Sequence, residues 1–371
     1  MPPTETAPCA IVGGGLAGFT AYATLRHGGL ATSEIAVFGT DPDPAAEWRR
    51  RADAIRQRRM RSESDGHVAA TSFPGLAVRS AIRQRDALPL VQSVFDRYHP
   101  TVDEFLQHVA EVRERSGWEV SFRGRRIEGI RPVEGGFELD EAGVFAHVLV
   151  APGHPGLAFP EGLEGDKRAV HAYQPHDYAD EVEIVGAGMA AATEWLNALA
   201  AGSTVVSVRR REPERRPLNL PRELFTRRGL GSFHATSKEQ RLGLLRSWST
   251  PSYPTGPEWD EPIDRARREG RFRIAPELNG AKQIICATGF KRGFRKDSLL
   301  AGLVDAHALD TADGSIVLGP DSTVPALTDE IRTLSIAGVP GQWAFPAADT
   351  LAGHKYAARR FLRRVRACRT R

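Results

Sequence analysis

Gly13, Gly15 and Gly18 stand in G-x-G-x-x-G register directly after the apolar run Cys9-Ala-Ile-Val12. The chemistry of such a pattern is the holding of a dinucleotide diphosphate. Gly13 suits a tight turn, Gly15 lets the backbone approach a pyrophosphate, and Gly18 lets the next helix pack on the strand. Leu16 and Ala17 open that helix, where free amides and the helix dipole favour two phosphate charges. A lone copy is weak, but a second follows about 170 residues later: Glu183-Ile-Val-Gly186-Ala-Gly188-Met189-Ala190-Ala191. Two dinucleotide sites in one chain of this size are the skeleton of a flavoprotein that takes hydride from a nicotinamide coenzyme.

The residues that choose each dinucleotide lie at the ends of the next strands. After the second motif, Thr204–Val208 ends in Arg209-Arg210-Arg211 instead of an acid. An acid there would bond a ribose 2′-hydroxyl, whereas Arg209 and Arg210 suit a 2′-phosphate, so the expected coenzyme is NADPH. After the first motif, the acid expected at the end of Glu34–Gly39 is replaced by Gly39, with Thr40 and Asp41 beyond. Either Asp41 reaches back to the ribose, or backbone and water hold its hydroxyls.

Behind these residues must stand elements that position them. Residues 8–13 read as a strand and 16–27 as its crossover helix. Thr101-Val-Asp-Glu104 is a capping box opening an amphipathic helix to Gly117. Residues 118–150 read as a small antiparallel meander returning to the central sheet, and the Pro- and Gly-rich stretch 152–162 as a linker. The predicted fold is α/β, with two Rossmann-like dinucleotide-binding domains, the NADPH domain inserted into the FAD domain. The expected boundaries are 1–165 for the first part of the FAD domain, 166–280 for the NADPH domain, and 281–371 for the return. Residues 212–280 read as an insertion that includes a helix Lys238–Trp248, with aromatics expected to form its own small core. The arginines between Trp48 and Arg61 read as a solvated helix face, or in part as a lid over pyrophosphate or an anionic substrate. Segments 60–67 and 71–75 are candidate loops over the flavin ring. Asp349, before a helix from Thr350, reads as an N-cap and as a partner for a flavin's ribityl hydroxyls.

Composition removes several classes. Hydrophobic content of 41% and charged content of 26% are those of an ordinary globular protein. The net charge of +4 comes without aromatic-basic interleaving or a reader motif, so no nucleic-acid partner is expected. Cys9, Cys286 and Cys368 are far apart, with neither a C-x-x-C redox pair nor zinc spacing, and no metal is expected. No stretch of about 18 apolar residues is present, and the N-terminus lacks the pattern of a signal peptide. The expectation is a cytoplasmic protein without membrane contact; its oligomeric state is left open, a homo-oligomer being one option.

On these residues the chain resembles the class B flavoprotein monooxygenases, the flavin-containing, Baeyer-Villiger and N-hydroxylating enzymes. The carriers are the Gly13/Gly15/Gly18 and Gly186/Gly188/Ala191 motifs, the arginines after the second, and Ala287-Thr288-Gly289-Phe290, which looks like the family's Ala-Thr-Gly-Tyr/Phe signature. The resemblance spans most of the chain outside 212–280. It implies FAD and NADPH as cofactors, with O₂ and a small-molecule nucleophile, an amine or other heteroatom, as reactants through a peroxyflavin. Thr288 and Gly289 are then cofactor contacts. His171, where the family's fingerprint has a histidine, is a candidate near the nicotinamide, and Arg61 and Ser62 are candidates near the flavin. The departures are Gly39, Ala151-Pro-Gly153 where Ala-Thr-Gly is usual, and an incomplete Baeyer-Villiger fingerprint around His171. Two further readings share the skeleton: a reductase or dehydrogenase without oxygen transfer, and a non-catalytic nucleotide-binding protein with a degenerate flavin site.

Overall fold

The computed structural model describes residues 7–60, 76–94, 98–216 and 220–369. Arg61, Ser62 and the loop segments 61–67 and 71–75 therefore lie outside the described residues. In chain order the strands are β1 (Cys9–Val12), β2 (Ile35–Gly39), β3 (Phe122–Gly124), β4 (Ile130–Val133), β5 (Gly136–Leu139), β6 (Val144–Phe145), β7 (His147–Val150), β8 (Ala169–His171) and β9 (Glu181–Val185). They continue as β10 (Thr204–Val208), β11 (Glu214–Arg215), β12 (Ser252–Tyr253), β13 (Phe272–Ala275), β14 (Ile284–Cys286), β15 (Thr311–Ala312), β16 (Ser315–Ile316) and β17 (Thr333–Ile336).

Five parallel strands in the order β17-β7-β1-β2-β3 form the first sheet. Its central strand reads as an unbroken apolar run because both faces are covered, and all four residues of β1 are buried. One face carries helix Leu16–His27 against helix Leu351–Arg369, with Phe19, Leu25, Phe361 and Val365 around Trp118. Phe19 and Tyr22 each meet the Trp118 ring edge-on at 5.2 Å, and its Nε1 donates to the Pro42 carbonyl at 2.8 Å. One indole thus fills the core and anchors the loop after β2. The other face carries the antiparallel sheet β4-β5-β6 and helix Ser298–His307, joined through Phe137, Leu139, Leu300 and Leu303.

A second parallel sheet runs β13-β10-β9-β14-β8. Helix Met189–Ala200 buries Trp195 against Val205, Ile263 and Phe272 on this unit. The expected boundary at 281 needs correction, since β14 still belongs to the second sheet and the chain returns to the first only after Cys286. The insertion also differs from expectation. Helix Lys238–Trp248 forms as read, behind a Ser237 capping box. Helix Arg227–His234, however, turns Leu230 and Phe233 onto Phe345 and Ala347 of the first unit. His234 Nε2 donates to the Ala344 carbonyl at 2.7 Å, and the Arg241 guanidinium lies 5.0 Å from the rings of both Phe233 and Trp343. Phe225, Phe233 and Trp248 thus form a dock between units, while Tyr253 and Trp259 join the core of the second unit. Helix Pro257–Arg268 belongs to the second unit's own layer, burying Ile263 and Ala266.

Candidate functional site

Both glycine cradles are built by close backbone contact. Gly13 has φ +122°, and a Cβ there would overlap the Ala151 carbonyl oxygen; one on Gly18 would overlap the Gly13 carbonyl oxygen. At Gly15 the same added carbon meets nothing within 4 Å. Two of the three glycines are thus demanded by packing, and the third opens onto space. Helix Leu16–His27 begins without a side-chain cap and without an acid in its first turn, so its leading amides face that space unpaired. The second cradle repeats the design. Gly186 (φ +133°) packs where a Cβ would come 2.5 Å from the Ala287 carbonyl oxygen. Gly188 is open, its nearest neighbour Pro251 Cβ at 4.0 Å, and helix Met189–Ala200 also starts uncapped and without an acid. Leu16, Ala17, Met189 and Ala190 stand at these two helix starts.

The missing acid at Gly39 has a steric cause. A Cβ at Gly39 would lie 2.8 Å from Gly14 Cα and 2.9 Å from its nitrogen, so the end of β2 presses directly on the glycine loop. Asp41 is exposed two residues on, with Oδ1 accepting from Asp43 N at 2.9 Å and Oδ2 left over.

Asp349 is exposed to solvent while protein surrounds it on its other sides. Burial pushes its carboxyl above the usual range, and nearby Arg292 pulls it back. The helix starts one residue later than read, at Leu351, and Thr350 Oγ1 takes the capping role by accepting from Gly353 N at 3.1 Å. Asp349 is thereby released from capping. Two histidines share this region. His154 and His354 each hold a buried Nδ1 without a hydrogen-bond partner. Burial lowers His154 to about 3, helped by Arg51, His354 and Arg292, and lowers His354 to about 4. Both imidazoles are neutral at physiological pH. An open glycine cradle, a carboxyl without a side-chain partner and two orphaned ring nitrogens fit a polar, phosphate-bearing cofactor laid across the first unit.

Between the units runs a ladder of rings that the sequence did not reveal. His154 stacks on Phe290 at 3.8 Å, Phe290 on Tyr173 at 5.0 Å, and Tyr173 on His171 at 5.6 Å, with Phe159 edge-on to His171 at 5.3 Å. Arg51, from helix Ala46–Ala54, caps the Phe290 ring at 4.5 Å. Arg51 of the basic run therefore faces the inter-unit region, as does Arg56. His171 is fully buried in this ladder, its Nδ1 accepting from Tyr173 N at 3.2 Å, which assigns the proton to Nε2. Burial lowers its pKa to about 4. The two linkers that carry the ladder are zipped together. Ala158 N donates to Gly289 O at 3.0 Å, Lys291 N donates to Gly156 O at 2.9 Å, and Thr288 Oγ1 donates to the Ala158 carbonyl.

A latch joins the units beside the ladder. His176 Nε2 and Tyr178 OH donate to one oxygen of the fully buried Glu194, at 3.0 and 2.8 Å. His176 Nδ1 donates to the Gln174 carbonyl at 2.7 Å, so this ring carries both protons. Arg56 of the first unit pairs with Asp177 at 3.0 Å, and Asn197 Nδ2 donates to the Ile55 carbonyl at 2.6 Å.

Of the arginines expected to choose the coenzyme, Arg210 and Arg211 are exposed while Arg209 is buried. A cavity of about 180 Å³ opens between the linkers and the insertion, lined among others by Pro152, Gly153, Leu245, Arg246, Arg292 and Gln342. Among the described residues no group of three or more acidic, histidine or cysteine side chains could hold a metal. No described helix is long and apolar enough to cross a membrane.

No family model matches the chain, and no curated protein does. Solved structures do match over the full length. The ornithine N-hydroxylase of Kutzneria sp. 744, a structure with reduced FAD, NADP⁺ and L-ornithine, superposes with a TM-score of 0.72 at 15% identity, covering 99% of each chain. The ornithine hydroxylase of Pseudomonas aeruginosa gives 0.67 at 16% identity, over 97% of this chain and 99% of that one. The chain has the fold of the ornithine N-hydroxylases. The bacillithiol disulfide reductase of Bacillus cereus also matches, with 0.59 at 13% identity, over 98% of this chain and 99% of that one. Architecture alone is therefore common to oxygenase and reductase.

Proposed function

We propose that the protein is an NADPH-dependent FAD monooxygenase that transfers one atom of O₂ to a small-molecule amine. The observation that carries this reading is the pair of open, uncapped glycine cradles on two units joined by a zipped hinge. The amine follows from the likeness to the two ornithine hydroxylases. FAD, when bound, supplies the two-electron chemistry and the activation of oxygen. The chain's own residues bind and orient. Gly13, Gly15, Leu16, Ala17 and Gly18 hold the FAD diphosphate, the free oxygen of Asp41 faces its adenosine ribose, and Asp349 meets the ribityl hydroxyls. Gly186, Gly188, Met189, Ala190 and Ala191 hold the NADPH diphosphate, and Arg209 and Arg210 its 2′-phosphate. Thr288 and Gly289 fix the linker that aligns the two cofactors. His171 acts through Tyr173 and Phe290 as a positioning residue. The cavity beside Arg292 takes the substrate.

A thiol relay, one form of the reductase alternative, finds no support in the cysteines. Cys9 and Cys286 are fully buried in different sheets, and burial pushes the Cys286 thiol up to about 11. FAD-loaded protein given NADPH and O₂ tests the proposal. An amine-dependent hydroxylamine product, formed in proportion to NADPH consumed, supports it. Failure to retain flavin, or NADPH oxidation that reduces a quinone or disulfide without oxygen uptake, overturns it. Asp349→Asn checks one assignment separately: the flavin dissociation constant rises about tenfold while the apo-protein's unfolding midpoint stays put.

A further inference from the structure

The 2′-phosphate assignment meets an obstacle in the structure. Arg209 follows β10, and its backbone N–H donates to the Ala275 carbonyl at 2.9 Å, fixing it at the strand end. Its side chain is only 4% exposed, and the guanidinium lies 5.2 Å from the ring of buried Trp195. Trp195 sits on the helix whose start forms the second cradle. The one acid paired with Arg209 among the described residues is Glu212, whose two oxygens lie 3.0 and 2.9 Å from Nη2. Glu212 itself is 75% exposed, and Arg209 Nε is buried without a partner.

We propose that Glu212 is a built-in competitor for the coenzyme's 2′-phosphate: it holds Arg209 until the phosphate displaces it, and so sets how strongly the protein prefers NADPH to NADH. This rests on the coenzyme reading given above. A largely desolvated guanidinium needs an anion, and Glu212 reaches it from the solvent side, the side from which a ligand also arrives. Being exposed and only three residues away, Glu212 swings out at little cost, since an exposed carboxylate regains full hydration. A phosphate offers more charge and more acceptor oxygens than a carboxylate and makes stronger charge-assisted bonds to arginine. Arg210 and Arg211, exposed beside this clamp, contribute attraction but not the exchange.

The test is binding of NADP⁺ and of NAD⁺ to the FAD-loaded protein, by calorimetry, for wild type, Glu212→Gln and Arg209→Gln. Glu212→Gln alters an exposed side chain and leaves the fold in place. The expected result is about fivefold tighter binding of NADP⁺ in Glu212→Gln, unchanged binding of NAD⁺, and loss of the NADP⁺ preference in Arg209→Gln. A wild type that prefers NADP⁺, together with a Glu212→Gln variant that shifts both coenzymes equally or neither, overturns the proposal and leaves the coenzyme reading intact. A wild type without preference overturns both. Should Arg209→Gln fail to fold, the Glu212→Gln ratio alone decides.

Discussion

Gly15→Ala leaves the protein folded and largely without flavin, while Gly18→Ala costs it the first unit. The two glycines are three residues apart in one motif, yet their environments are opposite. A methyl group at Gly18 drives into the backbone oxygen of Gly13, where no side chain can yield, and the helix must leave its strand. Backbone overlap of this kind costs at least about 3 kcal/mol. Gly15 has an ordinary extended backbone, with φ −77° and ψ −172°, and open space before it. Alanine fits there within about 0.5 kcal/mol, but its methyl occupies the volume through which a diphosphate reaches the helix amides. The ratio of flavin to protein absorbance, set beside a denaturation curve, separates the two. A Gly15→Ala protein that keeps its flavin sinks the assignment of the first cradle.

Glu194→Ala is the second large effect. It removes the acceptor shared by His176 and Tyr178 inside the latch and leaves a buried imidazole and a hydroxyl without their partner. Breaking a buried pair in this way costs about 3–5 kcal/mol. The pair also makes stability depend on pH. Burial alone would lower the His176 pKa, but the hydrogen bond and charge of Glu194 more than offset it, and the folded value lies above 6.5. Folding is therefore helped fully below the unfolded value, and the help is lost as pH rises through the folded one. Urea midpoints of wild type fall as pH rises above about 6.5, and Glu194→Gln flattens that slope. A slope that persists in Glu194→Gln assigns the titration to another group.

What could be read from the sequence was whatever local sterics dictate. Gly13, Gly18 and Gly186 are demanded by contacts that any strand-loop-helix of this kind makes, so their spacing was legible. The capping box at Thr101 is equally local and forms, and so does the helix Lys238–Trp248. Gly39 was legible only as an absence; its reason, the Gly14 backbone pressed against it, needed the fold. Arg51, His154, Tyr173 and Phe290 could not be grouped beforehand, because they come from four segments brought together by two sheets and a hinge. Asp349 and Thr350 differ by one residue in which of them caps, a choice that helix-start patterns do not resolve. Glu212 was invisible, since an acid three residues beyond an arginine usually means nothing.

The two linkers are bonded to each other, and that has a mechanical meaning. Two separate single chains between rigid bodies would permit tilting in every direction as well as sliding. Here Gly156 to Ala158 and Gly289 to Lys291 form one short ribbon. A paired ribbon is stiff against stretch and against flexing within its own plane, and compliant mainly in torsion. By itself the ribbon leaves chiefly a swivel about its axis, and the dock at Phe345 and the latch at Arg56 and Asn197 restrain that swivel. Motion of that kind would change the angle between the two units while holding their separation nearly constant.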